Sequence, residues 1–471
     1  MSKNKNKVFL AVVGGGPGGY PAAFQAADLG MDVVLIDRRP RPGGVCLYEG
    51  CIPSKSILHA SRAIQLSKET EKIGISFAEP KIDLPKLREW KQSVVDRLTK
   101  GVSQLTKQRN IRYVQGQAEF VSESSIKVSK EDGEETINFE HAIVAPGSQP
   151  VQLPFLPDSD LIMDSANALN LESLPERMLV VGGGYIGLEL GQAYASLGVK
   201  VSVTEALPSL LANVDQDLVN PLRKRLERQF EQILLKTKVT SAEENEGKLK
   251  VTLEGPAGEE EETFDKILVA VGRRPSTSEI GLDKAGVKVG DDGFIIIDEK
   301  RVTSNPAIQA IGDVAGQPML AHKATHEGRT AAEALSDGKT VYEPLAVPAV
   351  IFTDPEIAWC GLTEDEARRA GRNVSVGKFP WQASGRAITL EKPEGLTKVI
   401  ADAESGEVIG IGISGESSAE MIGEATLAIE MGAVAEDIAL TIHPHPTLSE
   451  TIMEAAQRCM TDSSTHFMQR Q

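Results

Sequence analysis

Two cysteines separated by four residues, Cys46 and Cys51, are the side chains of this sequence best suited to redox chemistry. Residues five apart on a regular helix have Cα atoms roughly 8.7 Å apart, whereas a disulfide needs about 4.4–6.8 Å. If the two sulfurs bond, the backbone between them must depart from a regular helix, and Gly50 supplies the freedom to do so. A disulfide closed over such a short, distorted loop tends to be reducible.

The pair has simpler interpretations that must be weighed. Two ordinary core cysteines are as common for an isolated pair, and Cys360 and Cys459 are interpreted in that way. Zinc ligands usually stand two residues apart, so no metal site is predicted. Four cysteines in 471 residues do not make the disulfide framework of a secreted protein. The segments around the pair favour redox chemistry.

Two glycine-rich segments, one before the cysteines and one far downstream, have the pattern of a dinucleotide-binding strand–turn–helix–strand unit. Their glycines and closing acids are Gly14, Gly16, Gly19 and Asp37 in the first and Gly182, Gly184, Gly187 and Glu205 in the second. The first glycine makes the tight turn, the second admits a pyrophosphate, and the third lets helix and strand pack closely. The first glycine and the acid are 23 positions apart in both copies. Two dinucleotide sites are therefore predicted.

The closing acids indicate which nucleotides bind. Asp37 is placed to accept a hydrogen bond from a ribose hydroxyl. Glu205 would pair with a free 2′-hydroxyl and repel a 2′-phosphate, and no arginine follows it in residues 206–208, so NAD is favoured over NADP. The first unit stands next to the thiol pair and is predicted to hold FAD, the carrier that contacts the disulfide.

Several motifs spread over essentially the whole chain make it resemble the pyridine nucleotide–disulfide oxidoreductases. They are Gly43 to Lys55, Val144 to Ser148, Gly183 to Glu189, Val271 to Pro275, Ile311 to Asp313 and His443 to Glu450. Pro146 in place of the usual threonine and Pro444 between the two histidines are departures. The resemblance implies an enzyme of the α/β class with two Rossmann-like dinucleotide-binding domains and a C-terminal α+β dimerisation domain.

The resemblance also implies domain boundaries. The predicted domains are an FAD-binding domain at 1–150 and 275–347, an NAD-binding domain at 151–274, and an interface domain at 348–471. Within the last, residues 352–359, 399–402 and 408–412 read as strands of an antiparallel sheet covered by helices.

The resemblance assigns roles to single residues. Cys46 would exchange with the substrate dithiol and Cys51 would face the flavin. Lys55 would lie near the flavin with Glu189 as its ion-pair partner, although a solvent-facing helix carboxylate is the simpler interpretation of Glu189 alone. The remaining predicted contacts are Asp313, Ala118 and Ala321 for FAD and Val239, Ala270, Gly272 and Arg273 for NAD.

Thiol exchange requires a thiolate, so a base must take the substrate proton. Of the seven histidines, His445 is the base that the resemblance implies, and Glu450 would hold its ring. Without the resemblance, residues 447–450 read as a capping box that opens the last helix, and both roles hold if the carboxylate is shared. In the family the base reaches the disulfide from the other subunit of a homodimer.

The implied reaction is oxidation of protein-bound dihydrolipoamide to lipoamide by NAD⁺, with lipoyl-bearing proteins of 2-oxo acid dehydrogenase or glycine cleavage complexes as partners. The alternatives are another NAD(P)H-dependent flavoprotein disulfide reductase and a docking subunit. A net charge of −17 argues against nucleic-acid binding. No apolar run approaches the roughly 20 residues of a membrane span, and the basic N-terminal segment is too short for a signal peptide, so a cytoplasmic location is expected.

Overall fold

The computed structural model describes residues 7–468, which form two compact units. The first unit comprises residues up to Ile57, Asp83–Val151 and Gly272–Glu343. The second comprises Leu58–Ile82, Gln152–Val271 and the chain from Pro344 onward. The predicted division into three domains remains a prediction.

The described chain alternates strands with helices. The strands are β1 (Lys7–Val13), β2 (Val33–Asp37), β3 (Arg112–Gln115), β4 (Gln117–Ser122), β5 (Ser125–Lys130), β6 (Gly133–Val144), β7 (Ser148–Pro150), β8 (Ile162–Met163), β9 (Arg177–Val181), β10 (Lys200–Glu205), β11 (Gln232–Leu235), β12 (Lys238–Asn245), β13 (Lys248–Gly255), β14 (Gly258–Phe264), β15 (Lys266–Val269), β16 (Arg273–Pro275), β17 (Ile308–Ala310), β18 (Ala349–Ile351), β19 (Glu356–Gly361), β20 (Val374–Pro380), β21 (Leu396–Asp402) and β22 (Val408–Gly415).

The helices are α1 (Gly19–Asp28), α2 (Gly44–Glu49), α3 (Cys51–Glu69), α4 (Leu84–Gln108), α5 (Ser165–Ala168), α6 (Tyr185–Ser196), α7 (Gln216–Gln229), α8 (Ala321–Asp337), α9 (Glu364–Arg369), α10 (Gly385–Thr389), α11 (Ser418–Glu430), α12 (Ala435–Leu440) and α13 (Glu450–Met460). Among residues 7–468, no helix combines the length and the apolar composition that a membrane crossing requires.

The first unit is built on a seven-stranded sheet in the order β3-β2-β1-β6-β5-β4, with β17 also paired to β6. β1, β2, β3, β6 and β17 run parallel, whereas β4, β5 and β6 form an antiparallel meander. The register pairs Val13 with both Ile36 and Val144. The loops that leave the carboxyl ends of β1, β2 and β17 therefore emerge at one edge, where α/β sheets bind their ligands.

The second unit contains a wholly parallel sheet in the order β11-β10-β9-β15-β8 and a separate antiparallel sheet of β12, β13 and β14. Val181 of β9 pairs with Thr204 and with Val269. The turns that follow β9 and β15 are therefore neighbours, as in the first unit.

The C-terminal part of the second unit is an antiparallel sheet in the order β18-β19-β22-β21-β20. Its core contains Trp381, Phe379 and Ile413, packed with apolar residues of α11 and α13. The predicted strand at 352–359 is wrong in its first half, because Phe352–Pro355 lies outside both β18 and β19. Pro355 lacks the N–H that a ladder needs, so the pairing restarts after it.

A buried ion cluster joins the start of α7 to this C-terminal sheet. Lys398 of β21, with a side chain only 2% exposed, lies 2.8 Å from Asp215, 2.8 Å from Asp217 and 2.9 Å from Glu364. Burial lowers the pKa of Lys398, but its hydrogen bonds to Asp215 and Asp217 raise it by more. The three carboxylates therefore keep this lysine charged inside the protein.

The predicted fold class is confirmed. Two Rossmann-like sheets and a C-terminal antiparallel sheet with covering helices are present in the described chain. In the second unit, α6 begins at Tyr185. The structure places this start directly after Gly184, so the glycine turn itself opens the helix.

Candidate functional site

The backbone between the two cysteines breaks where the sequence predicts. α2 ends at Glu49, Gly50 adopts φ −140° and ψ −116°, and α3 begins at Cys51. A Cβ atom at Gly50 would lie 3.2 Å from the Cα of Cys46, so this glycine permits the close approach. Both cysteines are thiols in this structure, and Cys46 hydrogen bonds to Cys51.

The electrostatics of the two thiols differ. The pKa of Cys46 is raised, first by its hydrogen bond to Cys51 and then by burial, while the charge of Lys55 acts in the opposite direction. Cys51 is exposed, whereas Cys46 is half-buried. In the dithiol, the hydrogen bond to Cys51 and burial therefore both favour the protonated form of Cys46.

The thiol pair is held directly against the first glycine turn. The Gly43 N–H donates to the Gly15 carbonyl at 2.7 Å. Gly44 has φ +58°, and a Cβ there would lie 2.4 Å from the Cα of Gly16. Only glycine fits at Gly44, because both the space and the left-handed backbone exclude a side chain.

The two glycine turns have the same geometry. A Cβ at Gly14 or Gly182 would meet the carbonyl oxygen of Ala145 or Ala270, at 2.1 and 2.5 Å. A Cβ at Gly19 or Gly187 would meet the carbonyl of the first glycine of its own turn, at 1.7 and 2.3 Å. In contrast, a Cβ at Gly184 would meet nothing within 4 Å, and a Cβ at Gly16 would meet only the Cα of Gly44, at 3.8 Å. The second glycine of each turn is thus the one that leaves room for a ligand.

The two closing acids also match. Asp37 accepts hydrogen bonds from the backbone N–H groups of Gly15, at 2.5 Å, and Arg39, at 2.8 Å. Glu205 accepts from Gly183, at 2.7 Å, and Leu207, at 2.8 Å. In each turn the backbone fixes the carboxylate beside the glycines, and its remaining lone pairs are available to a ribose.

Asp313 lies in a short 3₁₀ turn, Gly312–Ala315, that follows β17 at the same edge as Gly14. Its carboxylate accepts a hydrogen bond from the Ser148 hydroxyl at 2.5 Å. Arg273 donates to that hydroxyl at 2.8 Å and to the Ser148 carbonyl at 2.7 Å. The structure therefore brings Arg273, predicted for the NAD side, together with Asp313 in the first unit.

Glu327 is a residue that the sequence did not single out. Its side chain is fully buried, and it accepts a hydrogen bond from the Gly312 N–H at 2.6 Å. Lys323 lies 2.9 Å and Arg301 3.3 Å from the other carboxylate oxygen. Glu327 thereby fixes the turn that carries Asp313, and its only signal in the sequence is a charged residue on the buried face of α8.

The other predicted contacts occupy ordinary positions in the fold. Ala118 is buried in β4, and Ala321 is the first residue of α8. Val239 is buried in the same core as Leu179 and Val181, so only its backbone is free to meet a ligand. Ala270 donates its N–H to Val181 at 2.8 Å, and Gly272 adopts φ +127°.

Glu189 is not a solvent-facing carboxylate. It is 3% exposed in α6 and accepts a hydrogen bond from the Phe352 N–H at 2.9 Å. The simpler interpretation of this residue is therefore wrong. Lys55 lies in α3, one turn beyond Cys51. The ion pair between Lys55 and Glu189 remains a prediction.

One carboxylate holds the predicted base. The Nδ1 of His445 lies 2.9 Å from one oxygen of Glu450, and the other oxygen accepts the Thr447 N–H at 2.7 Å. The capping box is present only in part, because the Thr447 hydroxyl bonds to Pro444 and Ser449 and the helix begins at Glu450. The side chain of His445 is 72% exposed, so Nε2 is free to reach a substrate.

No group of three or more potential metal-binding side chains comes together between residues 7 and 468. The described residues instead provide a pair of thiols that can form a reducible disulfide, beside one of two matched nucleotide turns. The second unit contains a histidine–carboxylate pair. Such a set can exchange thiols with a disulfide and hold two dinucleotides.

Comparison with known proteins agrees with this chemistry. Residues 9–328 match the pyridine nucleotide-disulphide oxidoreductase family, and residues 347–456 match the dimerisation domain of the same family. A dihydrolipoyl dehydrogenase of Vibrio parahaemolyticus is 47% identical over 97% of this chain and 96% of its own. A dihydrolipoyl dehydrogenase of Thermus scotoductus is 47% identical over 95% of this chain and 96% of its own.

Solved structures give the same result. LpdA from Mycobacterium tuberculosis is similar with a TM-score of 0.89 and 26% identity, over 96% of this chain and 100% of that one. The flavoprotein disulfide reductase RclA from Escherichia coli, as a Cu(II) complex, is similar with a TM-score of 0.86 and 27% identity, over 96% and 99%. The chain belongs to the pyridine nucleotide-disulphide oxidoreductases.

Proposed function

We propose that this enzyme is a dihydrolipoyl dehydrogenase, which oxidises protein-bound dihydrolipoamide to lipoamide with NAD⁺. The observation that carries the proposal is the similarity, at 44–47% identity and over nearly the full length, to several proteins of that name. The thiol pair and the His445–Glu450 pair supply the groups that the reaction needs.

The residues present fit FAD and NAD. Gly16 and Gly184 are the open positions of their turns, where backbone can approach a pyrophosphate. α1 and α6 have no capping side chain and no acid in the first turn, which suits a phosphate at each helix start. We assign FAD to the first unit, with Asp37 and Asp313 as contacts, and NAD to the turn that ends in Glu205.

The first step of the proposed reaction is proton transfer. His445 donates Nδ1–H to Glu450, so the lone pair of Nε2 takes the proton of a substrate thiol. The ionised Glu450 stabilises the imidazolium that forms. Burial raises the pKa of Glu450, but the Thr447 N–H and His445 together lower it below its usual value, so the carboxylate is charged during the reaction.

Two sulfur exchanges follow, starting from the Cys46–Cys51 disulfide. The substrate thiolate attacks the sulfur of Cys46, the disulfide breaks, and Cys51 leaves as a thiolate. The second substrate thiol then loses its proton and attacks the mixed disulfide, which releases lipoamide and returns Cys46 as a thiol. The substrate is oxidised by two electrons and the enzyme disulfide is reduced by two. Bound FAD and NAD⁺ supply the acceptor for that electron pair.

The order of the two cysteines is supported by their electrostatics. The hydrogen bond to Cys51 and burial raise the pKa of Cys46. We assign the thiolate of the reduced pair to Cys51, which leaves as a thiolate in the first exchange. The charge of Lys55 acts to lower the pKa of Cys46, so this lysine stabilises negative charge at the pair.

We further propose a homodimer in which His445 of one subunit serves the cysteines of the other. The match of residues 347–456 to a dimerisation domain supports this arrangement. Lipoyl-bearing proteins of 2-oxo acid dehydrogenase or glycine cleavage complexes would be the physiological substrates, and a cytoplasmic location remains an expectation.

The test is steady-state and stopped-flow kinetics of Cys51→Ser, with Cys459→Ser as a matched control at a cysteine outside the proposed centre. Because the disulfide cannot form, we expect Cys51→Ser to lose dihydrolipoamide oxidation, whereas Cys459→Ser retains it. Near-normal turnover by Cys51→Ser would refute the redox pair. A wild-type enzyme that reduces other disulfides but ignores lipoamide would refute the substrate.

A further inference from the structure

His443, two residues before the proposed base, makes hydrogen bonds through both ring nitrogens. Nδ1 lies 2.9 Å from the Thr441 carbonyl oxygen, and Nε2 lies 2.7 Å from a carboxylate oxygen of Glu424 on α11. The His443 side chain is 4% exposed, whereas that of Glu424 is 40% exposed. The histidine is thus inserted into the protein, with its charged partner at the surface.

Both partners of His443 are hydrogen-bond acceptors. The Thr441 carbonyl oxygen faces Nδ1, and a carboxylate oxygen of Glu424 faces Nε2. His445 differs: within residues 7–468, only its Nδ1 is hydrogen bonded, to Glu450. The two histidines of one motif are therefore held differently, His443 through both ring nitrogens and His445 through one.

The chain around His445 depends on few contacts. Thr441 is tied to the end of α12 through Asp437, and Ile442 is 95% exposed. After His445, the chain is held by Thr447 and Glu450. Between these two ends, His443 is the buried side chain that connects the loop to a neighbouring helix.

The charges near His443 come from three helices. On α11, Glu424 makes the contact and Glu420 is exposed one turn earlier. On α12, Asp437 accepts the Val434 N–H, and on α13, Glu450 is occupied by His445 and Thr447. Glu424 is therefore the carboxylate that contacts His443 directly.

We propose that His443 is a positioning residue, whose hydrogen bonds to Thr441 and Glu424 anchor the loop that presents His445 to the substrate thiol. The proposal rests on the function proposed above for His445. Without these two hydrogen bonds, the loop would lose its attachment to α11, and the base would lose its fixed position.

Glu424→Ala makes this proposal testable, because it removes the acceptor that faces Nε2 of His443. Glu424→Gln is the conservative variant, since its amide oxygen can still accept a hydrogen bond from the ring. Glu420→Ala is the matched control, because it removes a carboxylate one turn earlier on α11. His443→Ala removes the anchor altogether.

The experiment measures kcat and KM for dihydrolipoamide, together with NADH oxidation by ferricyanide, which does not require the dithiol centre. We expect His443→Ala and Glu424→Ala to lower kcat for dihydrolipoamide by about ten- to a hundredfold, through misplacement of the base, with ferricyanide reduction unchanged. Glu424→Gln and Glu420→Ala should retain kcat.

An unchanged kcat in Glu424→Ala would overturn the proposal, as would an unchanged kcat in a folded His443→Ala. If His443→Ala does not fold, the comparison of Glu424→Ala with Glu420→Ala decides alone. A wild-type enzyme without dihydrolipoamide turnover would instead mean that the proposed function has failed.

Discussion

Glu450 uses its two carboxylate oxygens for two different purposes. One orients the Nδ1–H of His445 and the other receives the Thr447 N–H at the start of α13. The two interpretations left open by the sequence, an orienting acid and a capping acid, therefore describe the same side chain. Because both oxygens of Glu450 are held in place, the carboxylate fixes the orientation of the His445 ring and the nitrogen that carries hydrogen.

Glu450→Gln tests this arrangement at the residue scale. The single amide oxygen can serve His445 or Thr447 but not both, and the charge that stabilises the imidazolium is lost. We expect kcat/KM for dihydrolipoamide to fall about 10–100-fold, with NADH–ferricyanide activity retained. An unchanged kcat/KM at neutral pH would show that Glu450 serves only the helix.

The sequence correctly predicted the position of residues that follow from spacing along one strand–turn–helix unit, whereas their nucleotide contacts remain predictions. Asp37 and Glu205 end their strands beside the glycine turns, as the common spacing indicates. The sequence could not predict Glu327, because its partners Gly312, Lys323 and Arg301 are brought to it by packing. Arg273 was assigned by motif, yet its hydrogen bonds go to Ser148.

At the scale of elements, α2 is positioned by the glycine turn beneath it. Gly44→Ala would place a Cβ 2.4 Å from the Cα of Gly16 and force a left-handed backbone on alanine. The backbone term alone costs roughly 1–2 kcal/mol. We expect a protein that purifies with less flavin, measured by absorbance at 450 nm. Gly101→Ala in α4, where nothing lies within 4 Å, is the control and should retain flavin.

The ion cluster around Lys398 makes a second prediction for the elements. Lys398→Met would leave the buried Asp215 without its cation, whereas the half-buried Asp217 and Glu364 would keep Lys378. The loss of the buried pair should lower the free energy of unfolding by about 3–5 kcal/mol at pH 7. The surface pair of Lys200 with Glu176 provides the control, Lys200→Met, with an expected change of about 0–1 kcal/mol. Urea denaturation of both variants and the wild type measures the difference.

The pKa shifts in the cluster predict how the stability lost in Lys398→Met changes with pH. Burial raises the pKa of Asp217 and of Glu364, but Lys378 and Lys398 lower both values by more. The cluster therefore contributes stability above the usual carboxyl pKa range and loses it as the pH falls through the lowered values. Without Lys398 the carboxylates protonate at higher pH, so the penalty should shrink on acidification. A penalty that is constant from pH 7 to pH 4 would contradict this account.

Element boundaries failed where a local signal competed with the pattern. The sequence predicts a strand that starts at residue 352, yet Pro355 cannot donate to a ladder and pairing begins at Glu356. The helix α6 starts directly after Gly184, because the glycine itself is its N-cap. The periodicity of apolar residues does not include such turn geometry.

At the scale of the whole molecule, the proposed homodimer predicts complementation between two inactive variants. Cys51→Ser and His445→Gln should each be inactive as homodimers. A mixed dimer carries one site with intact cysteines from one subunit and an intact base from the other. Mixed dimers isolated through two tags should then show about half of wild-type activity, and the unseparated random mixture about a quarter. No recovery in isolated mixed dimers would mean that each subunit uses its own base.

The sequence was sufficient for the overall architecture because two copies of one spacing rule and the C-terminal strand pattern are local signals. It could not bring His445 to Cys46, which are about 400 positions apart. A contact over that separation depends on how folded parts assemble, and it remains a prediction from the resemblance. The substrate follows likewise from similarity, since thiol chemistry alone fits many disulfides.

Because Glu450 contacts both His445 and the Thr447 N–H, the position of the base depends on whether the first turn of α13 is folded. Fraying of the first turn of α13 withdraws the same carboxylate that holds the imidazole, so ring orientation and helix start are lost in one event. Helix ends open far more often than whole domains unfold. We therefore expect dihydrolipoamide turnover to be lost at a lower temperature than that of global unfolding, because local opening of the first turn of α13 displaces the base.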